Sequence, residues 1–161
     1  MIPTRAATAI DVPALATLIN QAYVVERFFK VGDRISEEGV LALLRTGTFL
    51  LLERDGELVG SVYVEIRGTS GYIGLLSVRP GEQGRGYGRA MMAAAEAYSG
   101  TRGATESELR VVNLREDLPP FYRKLGYVNA GTEPFADPSE ATRPCHFVKM
   151  TKRLRPASFE G

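Results

Sequence analysis

Two hydrophobic periods organise this chain. Apolar residues that recur every three to four positions indicate helix; apolar residues that alternate or run on continuously indicate strand. Residues 2–8 read as a short strand. Asp11 stands in a capping position with Pro13 in the first turn behind it, and Leu15, Leu18, Ile19 and Ala22 make a helical stripe. Residues 23–35 are less regular, with Phe28, Phe29 and a Gly32-Asp33 turn. Ser36, followed by Glu37 and Glu38, starts a second helix whose stripe is Val40, Leu41, Leu43 and Leu44, with Gly47 just past its end.

A strand-rich stretch follows. Residues 48–54 and 57–67 form two strands joined by an Asp55-Gly56 hairpin turn, the second with Val59, Ser61, Tyr63 and Glu65 on one face. After a turn at 68–71, residues 72–78 are nearly all apolar, which predicts a central strand buried on both faces. A helical pattern over 89–98 has Ala90, Met91, Ala94, Ala97 and Tyr98 as its stripe, and its many alanines predict close packing on a sheet. Residues 106–112 read as a strand, and Pro119 and Pro120 suit the first turn of a short helix with Gly126 at its C′ position. Strands over 127–133 and 146–153 flank a loop rich in Pro, Asp and Ser. The expected order is β-α-α-β-β-β-α-β-α-β-β. It predicts an α/β protein of the α+β type, with a mixed, mostly antiparallel central sheet of about seven strands and helices on both faces. Residues 1–154 read as one domain and 155–161 as a loose tail.

Composition narrows the class. With 161 residues, 44% of them hydrophobic and 24% charged, the chain has enough apolar material for one real core. A net charge of +1 gives no electrostatic reason to expect nucleic acid or a membrane as partner. One cysteine, Cys145, allows no internal disulfide and suggests no metal. The first residues lack the apolar run of a signal peptide, and no stretch reaches the roughly 18 apolar residues of a membrane span. A cytoplasmic location is therefore expected.

The chemistry-bearing stretch is Gln83-Gly84-Arg85-Gly86-Tyr87-Gly88, set between the apolar strand and the alanine-rich helix. A strand, a glycine-rich turn and a helix together offer backbone N–H groups and a positive helix end to a phosphate. Glycines let the backbone come close to the ligand. Arg85 and Arg89 add charge, and arginine at a helix start works against the dipole unless an anion binds there. A dinucleotide fingerprint fails in both registers, because its last glycine would fall on Arg89 or Met91; a P-loop fails because no Gly-Lys-Ser or Gly-Lys-Thr occurs. What remains is Gln-x-x-Gly-x-Gly, carried by Gln83, Gly86 and Gly88.

That pattern resembles the acetyl-CoA pyrophosphate loop of the GNAT superfamily of N-acetyltransferases, and the predicted element order is the order of that family. A second segment, Phe121-Tyr122-Arg123-Lys124-Leu125-Gly126-Tyr127, is similar to the family's Phe/Leu-Tyr-x-x-x-Gly-Phe/Tyr. The resemblance implies acetyl-CoA as cofactor. The backbone of Leu76, Ser77 and Val78 would meet the pantetheine arm, and the amides of Gln83, Gly84, Arg85, Gly86, Tyr87 and Gly88, with Arg89, would hold the pyrophosphate. Asn113 resembles the family's asparagine near the pantetheine, and Tyr122 the tyrosine that protonates the departing thiolate. The chain departs from the family's Asn-x-x-Ala-x-x-x-Tyr spacing: Asn113 and Tyr122 lie nine apart, Glu116 takes the alanine position and two prolines intervene.

Acetyl transfer to an amine needs a neutral amine, a polarised thioester carbonyl and a proton for the leaving thiolate. Freeing a lysine-like amine of pKa about 10.4 near neutral pH costs roughly 4 kcal/mol, which a base or a water chain can share. A phenol of pKa about 10 can protonate a thiolate whose conjugate acid lies near about 8.5, so Tyr122 suits the acid role; otherwise it is a packing residue on a short helix. The strand over 72–78 has no carboxylate, which leaves Glu65 and Glu26 as candidate bases and His146, the only histidine, as a third titrating group. For each, the commoner reading of such a residue is a surface or structural one. Tyr23, Phe28 and Phe29 suit a wall of the acceptor site or a core.

The expected function is transfer of acetyl from acetyl-CoA to a primary amine of a small molecule by direct attack. The family commonly works without a covalent acyl-enzyme, and no histidine–acid motif surrounds Cys145. The alternatives are a non-catalytic acyl-CoA-binding regulatory module and a transferase of a longer acyl group. Family members often form homodimers through their last strands.

Overall fold

The computed structural model describes residues 3–135 and 137–155. The elements are β1 (Arg5–Ala6), α1 (Val12–Ala22), α2 (Glu37–Thr46), β2 (Thr48–Arg54), β3 (Glu57–Arg67), β4 (Ser70–Val78), α3 (Tyr87–Thr101), β5 (Glu106–Val112), α4 (Leu118–Lys124), β6 (Val128–Pro134) and β7 (His146–Arg153). The strands form a seven-stranded sheet in the order β1-β2-β3-β4-β5-β7-β6. The β4–β5 pair is parallel, and all other pairs are antiparallel. The mixed, mostly antiparallel sheet with helices on both faces is therefore as the sequence predicts. The first strand is shorter than expected, and Ile2 and residues 156–161 of the tail lie outside the described residues.

Strand alternation sends side chains to two cores. Leu50, Leu52, Val62, Val64 and Ile73 meet Met91, Met92 and Ala95 of α3 and Tyr122 of α4 on one face. Phe49, Leu51 and Tyr63 meet Leu15, Ile19 and Val40 of α1 and α2 on the other. Three expected faces shift, the first by a local irregularity. A register shift between Leu52 and Glu53 gives β3 an extra residue, so Val59 joins the α3 face while Tyr63 stays on the α1 face. The buried face of α3 is Met91, Met92, Ala94, Ala95 and Ser99, while Ala97 is exposed. Ser99 sits where a side chain on Gly71 of β4 would go, so the helix lies close on the sheet. In α2, Leu41 is 40% exposed, one position off the stripe of Val40, Leu43 and Leu44.

The helix ends show which polar residues act as read. The Ser36 hydroxyl accepts the Gly39 N–H at 3.0 Å, a regular N-cap. Asp11 does not cap α1. Its carboxylate accepts the Thr8 N–H at 2.8 Å and pairs with both terminal nitrogens of Arg5 at 2.9 and 2.7 Å, fixing the turn that leads into the helix. Gly47 is extended and not left-handed; it is there because any side chain would strike the Tyr63 ring. Gly126 has φ +102°, and the turn it makes returns the chain from α4 to the sheet.

Candidate active site

The parallel pair β4–β5 stays together over only three residue pairs, ending at Tyr72 opposite Glu108. Both strands continue, to Val78 and Val112, but apart. Part of the cause lies in β4. Leu75 has φ +51°, and between Ser61 and Tyr63 the register of β3 against β4 slips by one residue. A left-handed leucine inside a strand is strained, and such bulges bend a strand and open its edge. The expectation that residues 72–78 are buried on both faces is thus corrected: Tyr72, Leu75, Leu76 and Val78 are only partly buried, because they face the opening.

Two chambers occupy this opening. The larger, about 1050 Å³, is bounded by Leu76 and Val78 of β4, by Gln83, Gly84, Gly86, Tyr87, Gly88 and Arg89, by Val24 and Val25, and by Phe121 and Lys124 of α4. Gly84 and Gly86 have φ +81° and +83°, which carries the chain round in a tight left-handed path to the start of α3. The first intrahelical bond runs from Ala90 N–H to the Gly86 carbonyl, so the amides ahead of Ala90 have no acceptor within the helix and stand at its positive end. Beneath the loop, the buried Glu82 gathers Arg54, Arg79 and Arg85 at 3.3, 3.4 and 3.4 Å. Arg85 is outside the chamber wall, whereas Arg89 is exposed on it. The Ser77 side chain is buried, with its hydroxyl on the Leu75 carbonyl, so of residues 76–78 only Leu76 and Val78 line the opening.

The smaller chamber, about 470 Å³, lies on the other side of the β4 bulge. Four residues border both chambers: Tyr23, Leu76, Leu118 and Tyr122. Tyr122 is 7% exposed, and burial pushes its phenol pKa well up, the Tyr23 phenol adding to the rise and Arg115 opposing it. The hydroxyl is therefore protonated throughout the neutral range. Burial also pushes Tyr23 up, to about 12. Tyr122 is held in place by stacking edge-on against Phe121 and Tyr127, with ring centroids 5.1 and 5.9 Å away.

The smaller chamber is rich in charge. Glu26 is buried, and one of its oxygens takes a 2.8 Å bond from Arg115, which also forks onto Asp117 at 3.0 Å. Burial raises the Glu26 carboxyl, and Arg115, then Arg34, pull it back down. The second oxygen of Glu26 has no hydrogen-bond partner among the described residues. Glu65 differs: one oxygen accepts the Tyr63 hydroxyl at 2.7 Å and the other the Arg67 guanidinium at 2.8 Å, and Arg67 holds its carboxyl below the usual range. Arg110 pairs with Glu133 at 2.8 Å.

Asn113 and His146 are brought together beside Val112 and Phe147, which line the smaller chamber, but do not border either chamber themselves. The Asn113 side-chain oxygen accepts the His146 N–H at 2.8 Å, and its own N–H donates to the His146 carbonyl at 2.9 Å. Asn113 thus staples the end of β5 to the start of β7 and lines neither chamber. Arg115 and Arg34 were not singled out from the sequence, and no spacing rule marks them. Their place becomes visible only once residues 23–35 fold over the sheet.

The profile of the Acetyltransferase (GNAT) family matches residues 13–127. A mycothiol acetyltransferase of Cellulomonas flavigena is 31% identical over 124 residues, covering 70% of this chain and 36% of that protein. A streptothricin acetyltransferase of Streptomyces lavendulae is 30% identical over 88 residues, covering 53% of this chain and 47% of that protein. The chain thus spans less than half the length of either relative. Among solved structures, the ribosomal-protein-S18-alanine N-acetyltransferase of Escherichia coli superposes with TM-score 0.77 at 17% identity, over 98% of this chain and 96% of that one. An N-acetylglutamate synthase of Neisseria gonorrhoeae, solved with coenzyme A and N-acetyl-glutamate, gives 0.73 at 22% identity, over 96% of this chain and 35% of that one. Similarity of fold over nearly the whole chain and a family match over most of it agree: this chain belongs to the GNAT family of acetyltransferases.

Proposed function

We propose that the chain is an acetyl-CoA-dependent N-acetyltransferase that acetylates a primary amine of a small molecule by direct attack, with Tyr122 as general acid. The observation that carries this reading is the neck between the chambers. A cofactor whose pyrophosphate rests on residues 83–88 would run its pantetheine arm along the open edge at Leu76 and Val78 and bring its thioester to the neck. An amine in the smaller chamber meets it there, beside Tyr122. Support for the cofactor comes from the free amides at the start of α3 and from coenzyme A in a solved structure of the same fold.

The protonation states suit the roles. A phenol raised by burial is a weaker acid, but the thiolate leaving in the same dry neck is made more basic by the same desolvation, so transfer between them remains feasible. Of the two carboxylates considered as base, Glu26 has a free oxygen and a carboxyl raised by burial, while Glu65 has both oxygens taken and a lowered carboxyl. Glu26 is accordingly the base in this reading, directly or through water. A cytoplasmic setting goes with it; no helix of the described residues is long and apolar enough to cross a membrane.

The test incubates the protein with isotope-labelled acetyl-CoA and a cell extract and follows the label by mass spectrometry. The expected result is label in a small amine. The Tyr122→Phe variant should lower kcat about a hundredfold, as loss of a general acid does, with coenzyme A binding retained. Binding without transfer to any acceptor would make the chain an acyl-CoA-binding module instead.

A further inference from the structure

We propose that Arg34 makes the acceptor site selective for amines that also carry a carboxylate, with free amino acids as the substrate class; this rests on the transferase reading above.

Three carboxylates line the smaller chamber, and each already has a guanidinium at 2.8 Å: Glu26 has Arg115, Glu65 has Arg67 and Glu133 has Arg110. A purely cationic acceptor would have to compete with these fixed partners. Arg67 and Arg110 are further engaged over the Tyr72 ring, 4.1 and 5.3 Å from its centroid. Arg34 is the guanidinium without such a pair; it acts on Glu26 only through space. It lines the chamber, is partly buried, and has neither a salt bridge nor a hydrogen bond among the described residues. Its guanidinium lies 5.4 Å from the centre of the Tyr23 ring.

An unpaired guanidinium in a partly dry wall is costly unless an anion completes it, and its fork matches a carboxylate in two hydrogen bonds. Its position is also prearranged. The next residue, Ile35, is held at both its N–H and its carbonyl by the Asn20 side chain of α1, at 2.9 and 2.8 Å. Because Tyr23 borders the neck, Arg34 lies against one of the side chains that form it, which places a carboxylate on Arg34 and an amine at the neck within one small molecule. The same positive charge repels polyamines and other acceptors without an anion, so it selects by exclusion as well as by attraction.

The experiment compares L-amino acids with their α-amides, which keep the amine and lose the negative charge. The kcat/KM ratio of acid to amide is read within each protein, so any general loss of activity cancels. The wild type should favour acids by about tenfold or more; Arg34→Gln should bring the ratio close to one, and Arg34→Lys should keep part of it. Calorimetry of the same compounds against the protein saturated with coenzyme A separates the two readings. Arg34-dependent binding of acids without any acetyl transfer keeps the anion site and removes the transferase. Transfer to amides or simple amines as fast as to acids, or an unchanged ratio in Arg34→Gln, overturns the anion site and leaves the transferase standing.

Discussion

At the scale of single residues, the partner that holds a carboxylate decides how the protein responds to pH. Asp11 is held by Arg5, whose strand β1 pairs with β2. The consequence is a pH dependence. Hydrogen bonds from Arg5, then from Thr8, hold the Asp11 carboxyl at about 2 against 3.8. A depressed folded pKa stabilises the protein above the unfolded value, and that contribution is lost as pH falls through the folded one. The stability gap between wild type and Asp11→Asn, measured by urea unfolding, should be full above about pH 4 and close between about pH 4 and 2. Glu26 has the opposite sign. Burial raises it and Arg115 opposes the rise, so Arg115→Met should raise it further. If Glu26 is the base, the acid limb of kcat/KM moves to higher pH in that variant, while Arg115→Lys keeps it closer to the wild-type position. A limb that stays in place in Arg115→Met would remove Glu26 from the mechanism.

At the scale of elements, the glycine-rich loop and the short proline-started helix were legible because both rest on local rules: glycine where φ is positive, proline where a helix N–H needs no partner. The β4 bulge was not legible. Leu75 is an ordinary strand residue in sequence, and its positive φ goes with the register slip of β4 against β3, a non-local pairing. The joint behind Tyr122 was likewise hidden. Tyr127 is fully buried after α4; its hydroxyl lies 2.7 Å from Ser107 of β5 and donates to Glu96 of α3 at 2.9 Å, and Lys152 of β7 holds the other Glu96 oxygen at 2.8 Å. One phenol thus ties a helix to the sheet beneath the ring that stacks on Tyr122. Tyr127→Phe keeps the ring and leaves Ser107 short of a partner, so it should cost about 1–3 kcal/mol in chemical denaturation. A loss below a few tenths of a kcal/mol would show that this network adds little.

At the scale of the whole molecule, the order of elements was read correctly from periodicity because each core face repeats at the period of its own element. The smaller chamber was not, because its walls come from residues far apart in the chain: Glu26 and Arg34 before the sheet, Arg67 within it, Glu133 near its end. What joins those distant pieces is partly backbone. Lys30 bridges to Ala141, Val31 N–H donates to the Glu140 carbonyl and Thr142 N–H to the Phe29 carbonyl, so residues 29–31 and 140–142 are sewn to each other.

The neck shared by Tyr23, Leu76, Leu118 and Tyr122 also bears on inhibition. Two chambers that meet at one wall can be filled by one molecule. In the transferase reading, a coenzyme A tethered through its sulfur to an amino acid would span both, and the second half would bind at the effective concentration set by the tether instead of from bulk solution. The tether length that binds best would measure the distance across which the acetyl group must pass.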